Sequence, residues 1–170
     1  HMLDDILIIG KAEADKILKI SSVIQLDGFF KQIANEASSN SKTHEIIMHL
    51  ENPVNLINTD EYLLRNIVIN LLTNAIKFSP EEQKVLLRVS SADDHLKIEV
   101  EDKGIGISNS DLTDIYAAFH RGSNVGTIQG TGLGLSIVKK AVDLLHGVIQ
   151  IKSKIGEGTL FTVILPLRLS

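Results

Sequence analysis

The spacing of apolar positions changes several times along the chain, and each change predicts an element. Leu3, Leu7, Gly10, Ala14 and Ile17 recur at alternating four- and three-residue steps. That is a heptad seam of the sort two helices share, although two heptads fit equally well an amphipathic helix packed on its own domain. A second helical pattern runs from Gln25 to Ala37, a polar Ser38-Ser39-Asn40-Ser41 loop follows, and Glu45–Leu50 is an apolar run of strand length. Asp60 is placed to cap a helix reaching about Phe78, where Ser79-Pro80 stops it. Val85–Val89 and Leu96–Val100 alternate as a strand pair around the turn residues Asp93-Asp94. Glycine and polar residues then dominate until Leu135–Leu145, a helix with Gly147 in the position of a C-terminal cap. Val148–Ile151 and Leu160–Leu165 form a last hairpin about Gly156-Glu157-Gly158. Strands in hairpin pairs, interleaved with helices, predict an α+β two-layer sandwich and not a doubly wound sheet.

Composition narrows the partners. At 170 residues and 44% apolar, the chain suits one globular domain that buries roughly 70% of its unfolded surface. A net charge of -4 without any basic run excludes the electrostatic footprint of a nucleic-acid binder. The absence of cysteine excludes disulfides and thiolate metal sites and fits a cytoplasmic setting. No apolar stretch reaches the ~20 residues that cross a bilayer, so this fragment is expected to make no direct membrane contact, any anchor of a longer parent lying elsewhere. His1-Met2 reads as a cloning scar and is set aside.

Three groups of residues carry chemistry. On the helix from Glu61, the side chains of Asn66, Asn70, Thr73, Asn74 and Lys77 fall on one stripe, opposite Leu64, Val68, Leu71, Leu72 and Ala75. A solvated face ordinarily carries Glu, Lys and Arg, whereas asparagine is a mediocre helix former used here repeatedly. Asn70 and Asn74, one turn apart, offer oxygens that suit a hard cation such as magnesium, and Lys77 is within reach of a phosphate. Asparagines bonded to neighbouring backbone carbonyls would account for the stripe equally well. In the strand Leu96–Asp102, the carboxylate of Asp102 continues the apolar face of Leu96, Ile98 and Val100 and therefore needs a partner. Gly104 and Gly106 follow, leaving room beside it for a flat ligand such as adenine, whose amino hydrogen it can accept. Asp-x-Gly-x-Gly is also an ordinary turn sequence. The third group, Gly130-Thr131-Gly132-Leu133-Gly134-Leu135, opens directly into a helix, so its backbone N–H groups and the positive helix end form a phosphate site. A polar loop and not a strand precedes it, which separates it from a dinucleotide fingerprint, and it lacks the lysine-serine/threonine ending of a P-loop.

Two decoys fall away. His44-Glu45 with His49 approaches a zinc-protease motif, but the imidazoles are one residue too far apart to share a helix face, and the run reads as a strand. His95, His120 and His146 are scattered and none has the setting of a nucleophile.

In this order the motifs resemble the catalytic and ATP-binding domain of sensor histidine kinases, in the superfamily shared with gyrase, a heat-shock chaperone and a mismatch-repair ATPase. Asn70 to Phe78 is similar to the family's N box, Asp102 to Ile107 to its first glycine box, Phe119-His120-Arg121 to its F box, and Gly130 to Leu135 to its second glycine box; Gly156-Glu157-Gly158-Thr159-Leu160-Phe161 is similar too. The resemblance spans about Asp60 to Pro166. It implies a mixed, mostly antiparallel sheet covered on one face by helices. It also implies that ATP and Mg2+ are bound, with Asn74 holding the metal, Asp102 the adenine, Lys77 and Arg121 the phosphates, and Thr159 a water beside the adenine. Residues Ile107–Gln129 would form the ATP lid. Leu3–Ile20 resembles the second helix of the dimerisation and phosphoacceptor domain of a homodimeric parent, leaving 21–170 as the catalytic domain.

The first helix of that pair and its acceptor histidine are absent from this sequence, so the fragment is expected not to phosphorylate itself. Lys103 and Phe78 stand where the family commonly has asparagine and tyrosine, and Ala117-Ala118 shortens the F box. Superfamily ATPases activate water with a glutamate at the position of Asn70, which cannot take a proton, so hydrolysis should be slow. The implied reaction passes the γ-phosphate to a histidine and then to a response-regulator aspartate. The alternatives are a protein-serine kinase of the anti-sigma type and a degenerate module that uses the fold only for protein contact.

Overall fold

The computed structural model describes residues 21–39, 44–51 and 55–167; the heptad seam of Leu3–Ile17 and the helix expected over Leu3–Ile20 lie outside them. Along the chain run β1 (Ser21–Gln25), α1 (Leu26–Ser39), β2 (Glu45–Glu51), β3 (Leu56–Asp60), α2 (Glu61–Phe78), β4 (Lys84–Ala92), β5 (His95–Asp102), α3 (Asn109–Leu112), α4 (Gly134–Leu144), β6 (Val148–Lys154) and β7 (Gly158–Pro166). Five strands form one sheet in the order β2-β4-β5-β7-β6. Only β2 and β4 run parallel, so the sheet is mixed and mostly antiparallel, as the family resemblance implies.

Alternation along the strands decides which face is buried. Val85, Leu87 and Val89 of β4, Leu96, Ile98 and Val100 of β5, and Phe161, Val163 and Leu165 of β7 are all buried. Above them sit Leu64, Ile67, Val68, Leu71 and Leu72 of α2 and Val138, Ala141 and Val142 of α4, in one continuous core. The opposite face carries a ladder of ion pairs, in which Arg88 meets Glu101 at 2.8 Å and Lys97 meets Glu99 at 2.8 Å. Asp93 and Asp94, at φ 50° and 59°, supply the two left-handed residues that a tight β4–β5 hairpin requires, short polar side chains tolerating that conformation best after glycine.

The cap of α2 is the residue the sequence marks. Asp60 is buried, and its Oδ1 accepts the Leu63 N–H at 3.0 Å. Asp60→Ala should lower the unfolding free energy by about 1–2 kcal/mol, with Asp60→Asn recovering most of it, as read by urea denaturation.

Two features differ from the sequence reading. A second sheet, the antiparallel ribbon β1-β3 with Ser21 opposite Asp60, carries no local signal, because each five-residue strand pairs with a segment far away in sequence. The end of α4 also differs. His146, not Gly147, takes the left-handed position at φ 57°, while the Gly147 N–H bonds the Val142 carbonyl at 2.9 Å. Gly147 is small because β7 passes close by. A Cβ there would lie 2.6 Å from the Ile164 carbonyl oxygen and 2.5 Å from Leu165 Cδ2.

Candidate functional site

A cleft of about 380 Å³ opens between α2, the end of β5 and the segment leading into α4, within the volume range of small-molecule sites. Of the residues singled out in the sequence, Asn70, Asn74, Lys77, Phe78, Asp102, Gly106, Ile107, Arg121, Gly130, Thr131, Gly132, Gly134, Leu135 and Thr159 line it. Gly104 and Leu133 do not. Gly104 lets the chain pass the end of α2, since a Cβ there would lie 2.5 Å from the Phe78 carbonyl oxygen. Leu133 is buried and packs with Ile137 beneath the turn.

The polar stripe of α2 divides into two roles. Asn66 donates to the Tyr62 carbonyl at 2.7 Å and is not part of the cleft, so at that position bonding to neighbouring backbone is the observed role. Asn70 donates through Nδ2 to the Asn66 carbonyl at 2.8 Å. This bond orients the amide so that Oδ1 faces Gly134, where an added Cβ would stand 3.0 Å from it, with Asn74 also adjacent. Thr73, which lines the cleft too, is held by the Ile69 carbonyl at 2.8 Å.

At the end of β5, alternation turns the Asp102 carboxylate inward, where it is only 6% exposed. Its Oδ1 accepts the Gly104 N–H at 2.8 Å and the Thr159 N–H at 3.2 Å, while Oδ2 accepts from neither. Burial pushes this carboxyl above its ordinary range despite the two backbone donors. A buried acceptor oxygen beside a cleft is the natural counterpart of a ligand N–H.

Elsewhere the cleft is cationic. The N-terminus of α4 begins at Gly134 after Leu133, and no side chain caps it, so its first N–H groups lack the usual intramolecular partner. Lys77 sits beside Gly130, where a Cβ would come within 2.1 Å of Nζ, and lies 4.7 Å from the Phe78 ring centroid. Burial and then the neighbouring Arg121 hold the Lys77 ammonium below its ordinary range. Two cations and a helix N-terminus around one space disfavour one another until an anion enters.

The segment from Ile107 to Gln129 closes one side, held by bonds within itself and to the glycines that flank it. Arg121 Nη2 donates to the Ile128 carbonyl at 2.7 Å, and the Asn124 amide donates to the Gly106 carbonyl at 2.9 Å. Asp111 is buried and accepts from Ser108 Oγ at 2.6 Å, from the Ser123 N–H at 2.9 Å and from Ser123 Oγ at 2.8 Å. Those bonds, the Ser108 hydroxyl first, hold its carboxyl low. Phe119, at φ 64° and 70% exposed, donates its N–H to the Gly132 carbonyl at 3.0 Å.

Sequence reasoning missed the apolar wall. Ile105, Ile115, Val125, Ile128 and Phe161 also line the cleft. Isolated isoleucines and a valine in a polar, glycine-rich stretch were the available signal, since a solvated loop has no need of them. Asp111 and Asn124, which also line or tether this side, carried no signal that local sequence distinguishes from loop polarity.

Residues 59–169 match the family model described as histidine kinase-, DNA gyrase B-, and HSP90-like ATPase. Over 172 residues the chain is 35% identical to the circadian input-output histidine kinase CikA of Synechococcus elongatus, covering 98% of this chain and 23% of that protein. It is 36% identical over 130 residues to the sensor protein CiaH of Streptococcus pneumoniae, covering 75% of this chain and 28% of that one. Among solved structures, full-length ShkA in complex with AMPPNP aligns at a TM-score of 0.83 and 28% identity, covering 98% of this chain and 35% of that one. The chain thus spans about a quarter of the length of these curated relatives.

Proposed function

Because the chain belongs to the histidine kinase-, DNA gyrase B- and HSP90-like ATPase family, we propose that it is the ATP-binding catalytic domain of a two-component sensor histidine kinase. The observation that carries this reading is the meeting, in one cleft, of a buried acceptor at Asp102 with the uncapped α4 N-terminus, Lys77 and Arg121. A purine with an exocyclic amine attached to a run of phosphates matches both halves at once. Histidine kinases by name among the relatives favour histidine over serine as the acceptor.

In this reading Asp102 accepts the adenine amino hydrogen, and Thr159 holds a water at the same edge. The glycine turn from Gly130 to Leu135 binds phosphate through backbone N–H groups, with Lys77 and Arg121 neutralising charge. Asn74, with Asn70 beside it, offers the hard oxygen donors that suit Mg2+, and the ion would neutralise the phosphate charge. Phosphoryl transfer asks the protein chiefly for positioning and electrostatics. The imidazole nitrogen of a histidine on the parent's dimerisation domain attacks the γ-phosphorus, an N–P bond forms, and the bridging P–O bond breaks with its electron pair leaving on ADP. A response-regulator aspartate then receives the phosphoryl group. Asn70, occupied by its bond to Asn66 and unable to take a proton, keeps water a poor competitor.

Residues 21–170 constitute this catalytic domain and 3–20 the end of a dimerisation helix, in a homodimeric parent with a cytoplasmic kinase portion. Among the described residues no helix is long and apolar enough to cross a membrane.

The test incubates the chain with γ-labelled ATP, Mg2+ and a separately produced pair of dimerisation helices carrying a histidine. Acid-labile label on that histidine, with slow phosphate release in its absence, is the expected result. Label on serine would establish the anti-sigma type of activity instead, and a folded protein that binds no ATP analogue calorimetrically would leave only the protein-contact module.

A further inference from the structure

His120 lines the cleft beside Arg121, yet its ring nitrogen Nε2 is buried and has no hydrogen-bond partner among the described residues. A native fold leaves few such atoms, and each calls for a ligand or a motion that satisfies it. The facing group is Asp111 of α3. Its Oδ2 takes the Ser108 Oγ, Ser123 N–H and Ser123 Oγ donors, whereas Oδ1 stands 3.8 Å from His120 Nε2, too far for a hydrogen bond. The His120 backbone is pinned from both sides: its N–H donates to the Ala117 carbonyl at 3.2 Å, and a Cβ on Gly132 would lie 2.6 Å from its carbonyl oxygen. The ring therefore sits between Asp111, which anchors the lid segment, and the glycine turn before α4.

Protonation decides what the ring can offer. A neutral imidazole has one N–H and one lone pair, an imidazolium two N–H groups. With Nε2–H given to Asp111 Oδ1, a neutral ring has only a lone pair left, which an anion in the cleft repels; the imidazolium has a second donor. In the empty cleft Arg121 beside it, Lys77 of α2 and the uncapped N-terminus of α4 oppose a further positive charge, while Asp111 favours it. Asp102 of β5 is the remaining charged group of the cleft wall. Phosphates entering the cleft offset the cations and reverse that balance. Histidine is the side chain suited to respond, since its charge changes between about pH 5 and 8.

We propose that His120 is a phosphate-binding residue of the cleft: it takes up one proton from solvent as nucleotide binds and, as the imidazolium, joins the phosphates to Asp111 and so to the lid segment. The inference rests on the nucleotide reading of the cleft. It gives binding a definite pH dependence, because a proton taken up on binding makes the complex weaker as pH rises.

The test titrates wild type, His120→Gln and Asp111→Asn with a non-hydrolysable ATP analogue and excess Mg2+, in buffers of different ionisation enthalpy, so that calorimetry counts the protons bound. Glutamine keeps a donor but cannot gain a proton, and protons moved at Lys77, Asp102 or the phosphates themselves appear in both proteins and cancel. At about pH 7 wild type should take up roughly half a proton more than His120→Gln, and between about pH 6 and about pH 8 its affinity relative to the variant should fall by about tenfold. Asp111→Asn, whose amide oxygen can serve the Ser108 and Ser123 donors while its NH2 group faces His120, should lower the uptake. Equal proton counts and parallel pH profiles in wild type and His120→Gln would overturn the inference, and undiminished uptake in Asp111→Asn would overturn the bridge to the lid. Should His120→Gln fail to fold, wild type against Asp111→Asn decides by the same count. Wild type that binds no analogue at any pH would refute the nucleotide reading itself, an outcome separate from these.

Discussion

Asp102→Asn should weaken binding of a non-hydrolysable ATP analogue by about tenfold to a hundredfold, the loss of a charged hydrogen bond worth roughly 1.5–3 kcal/mol, while leaving the unliganded domain at least as stable. The two halves have one cause. The carboxylate is buried and its pKa is raised, chiefly by desolvation, so an ionised Asp102 is a cost that the fold carries at neutral pH. The sign follows from linkage: a carboxyl whose folded value lies above its unfolded value contributes stability below the unfolded pKa and loses it as pH rises through the folded one. The amide removes that cost, and its oxygen can still accept the Gly104 and Thr159 N–H groups, but the Oδ2 acceptor becomes a donor. Calorimetry and thermal unfolding at pH 7 read the two effects separately. Unchanged affinity would remove Asp102 from the binding reaction, and a clear fall in Tm would make it structural. The wild type should lose stability relative to the variant as pH rises through the range above the ordinary aspartate pKa.

Gly106→Ala should be the most damaging single-methyl addition in the site, lowering the unfolding free energy by about 2–4 kcal/mol. Gly106 sits at φ 70°, and a Cβ there would be 2.1 Å from the Lys154 carbonyl oxygen and 2.8 Å from Ile155 Cα. Both are backbone, and neither can rotate away. Relief requires the β6–β7 turn to leave the loop after β5, which breaks the bond from the Gly156 N–H to the Ile105 carbonyl at 2.9 Å. Gly126 is the control, at φ 53° but with nothing within 4 Å of its added Cβ, so Gly126→Ala carries dihedral strain alone, about 1 kcal/mol. Urea unfolding of both variants gives the difference, and equal losses would mean that the close approach to β6–β7 does not matter.

The elements that could be read from the chain were those whose pattern is local. Helix α2 announced itself through an apolar repeat, the Asp60 cap and the Ser79-Pro80 stop, all within one window of sequence. The β4–β5 and β6–β7 hairpins did the same through period-two alternation on either side of short turns. Asp102 stood out because it interrupts an apolar alternation at a buried position, and the glycine turn because it runs straight into a helix. Chemistry visible at this range needs only that residue type and local period agree.

What tertiary structure decided is whatever depends on two distant segments meeting. The ribbon β1-β3 exists because Ser21 reaches Asp60. Gly147 is a glycine because β7 crosses it, although its place after a helix suggested a cap. Of five stripe residues on α2, Asn66 and Asn70 each bond the carbonyl one turn back, yet only Asn70 faces Gly134 across the cleft, a distinction made by the position of α4 and not by helical period. Ile115 and Ile128, in the polar stretch between β5 and α4, acquired a purpose only against the cleft they wall. The Ser153 hydroxyl on β6 meets Gly158 and Thr159 of β7 and Ile107 of the loop after β5, which no window of sequence contains together. Local periodicity specifies which face of an element is buried; which groups then share a pocket is set by long-range packing and by the need of each buried polar atom for a partner.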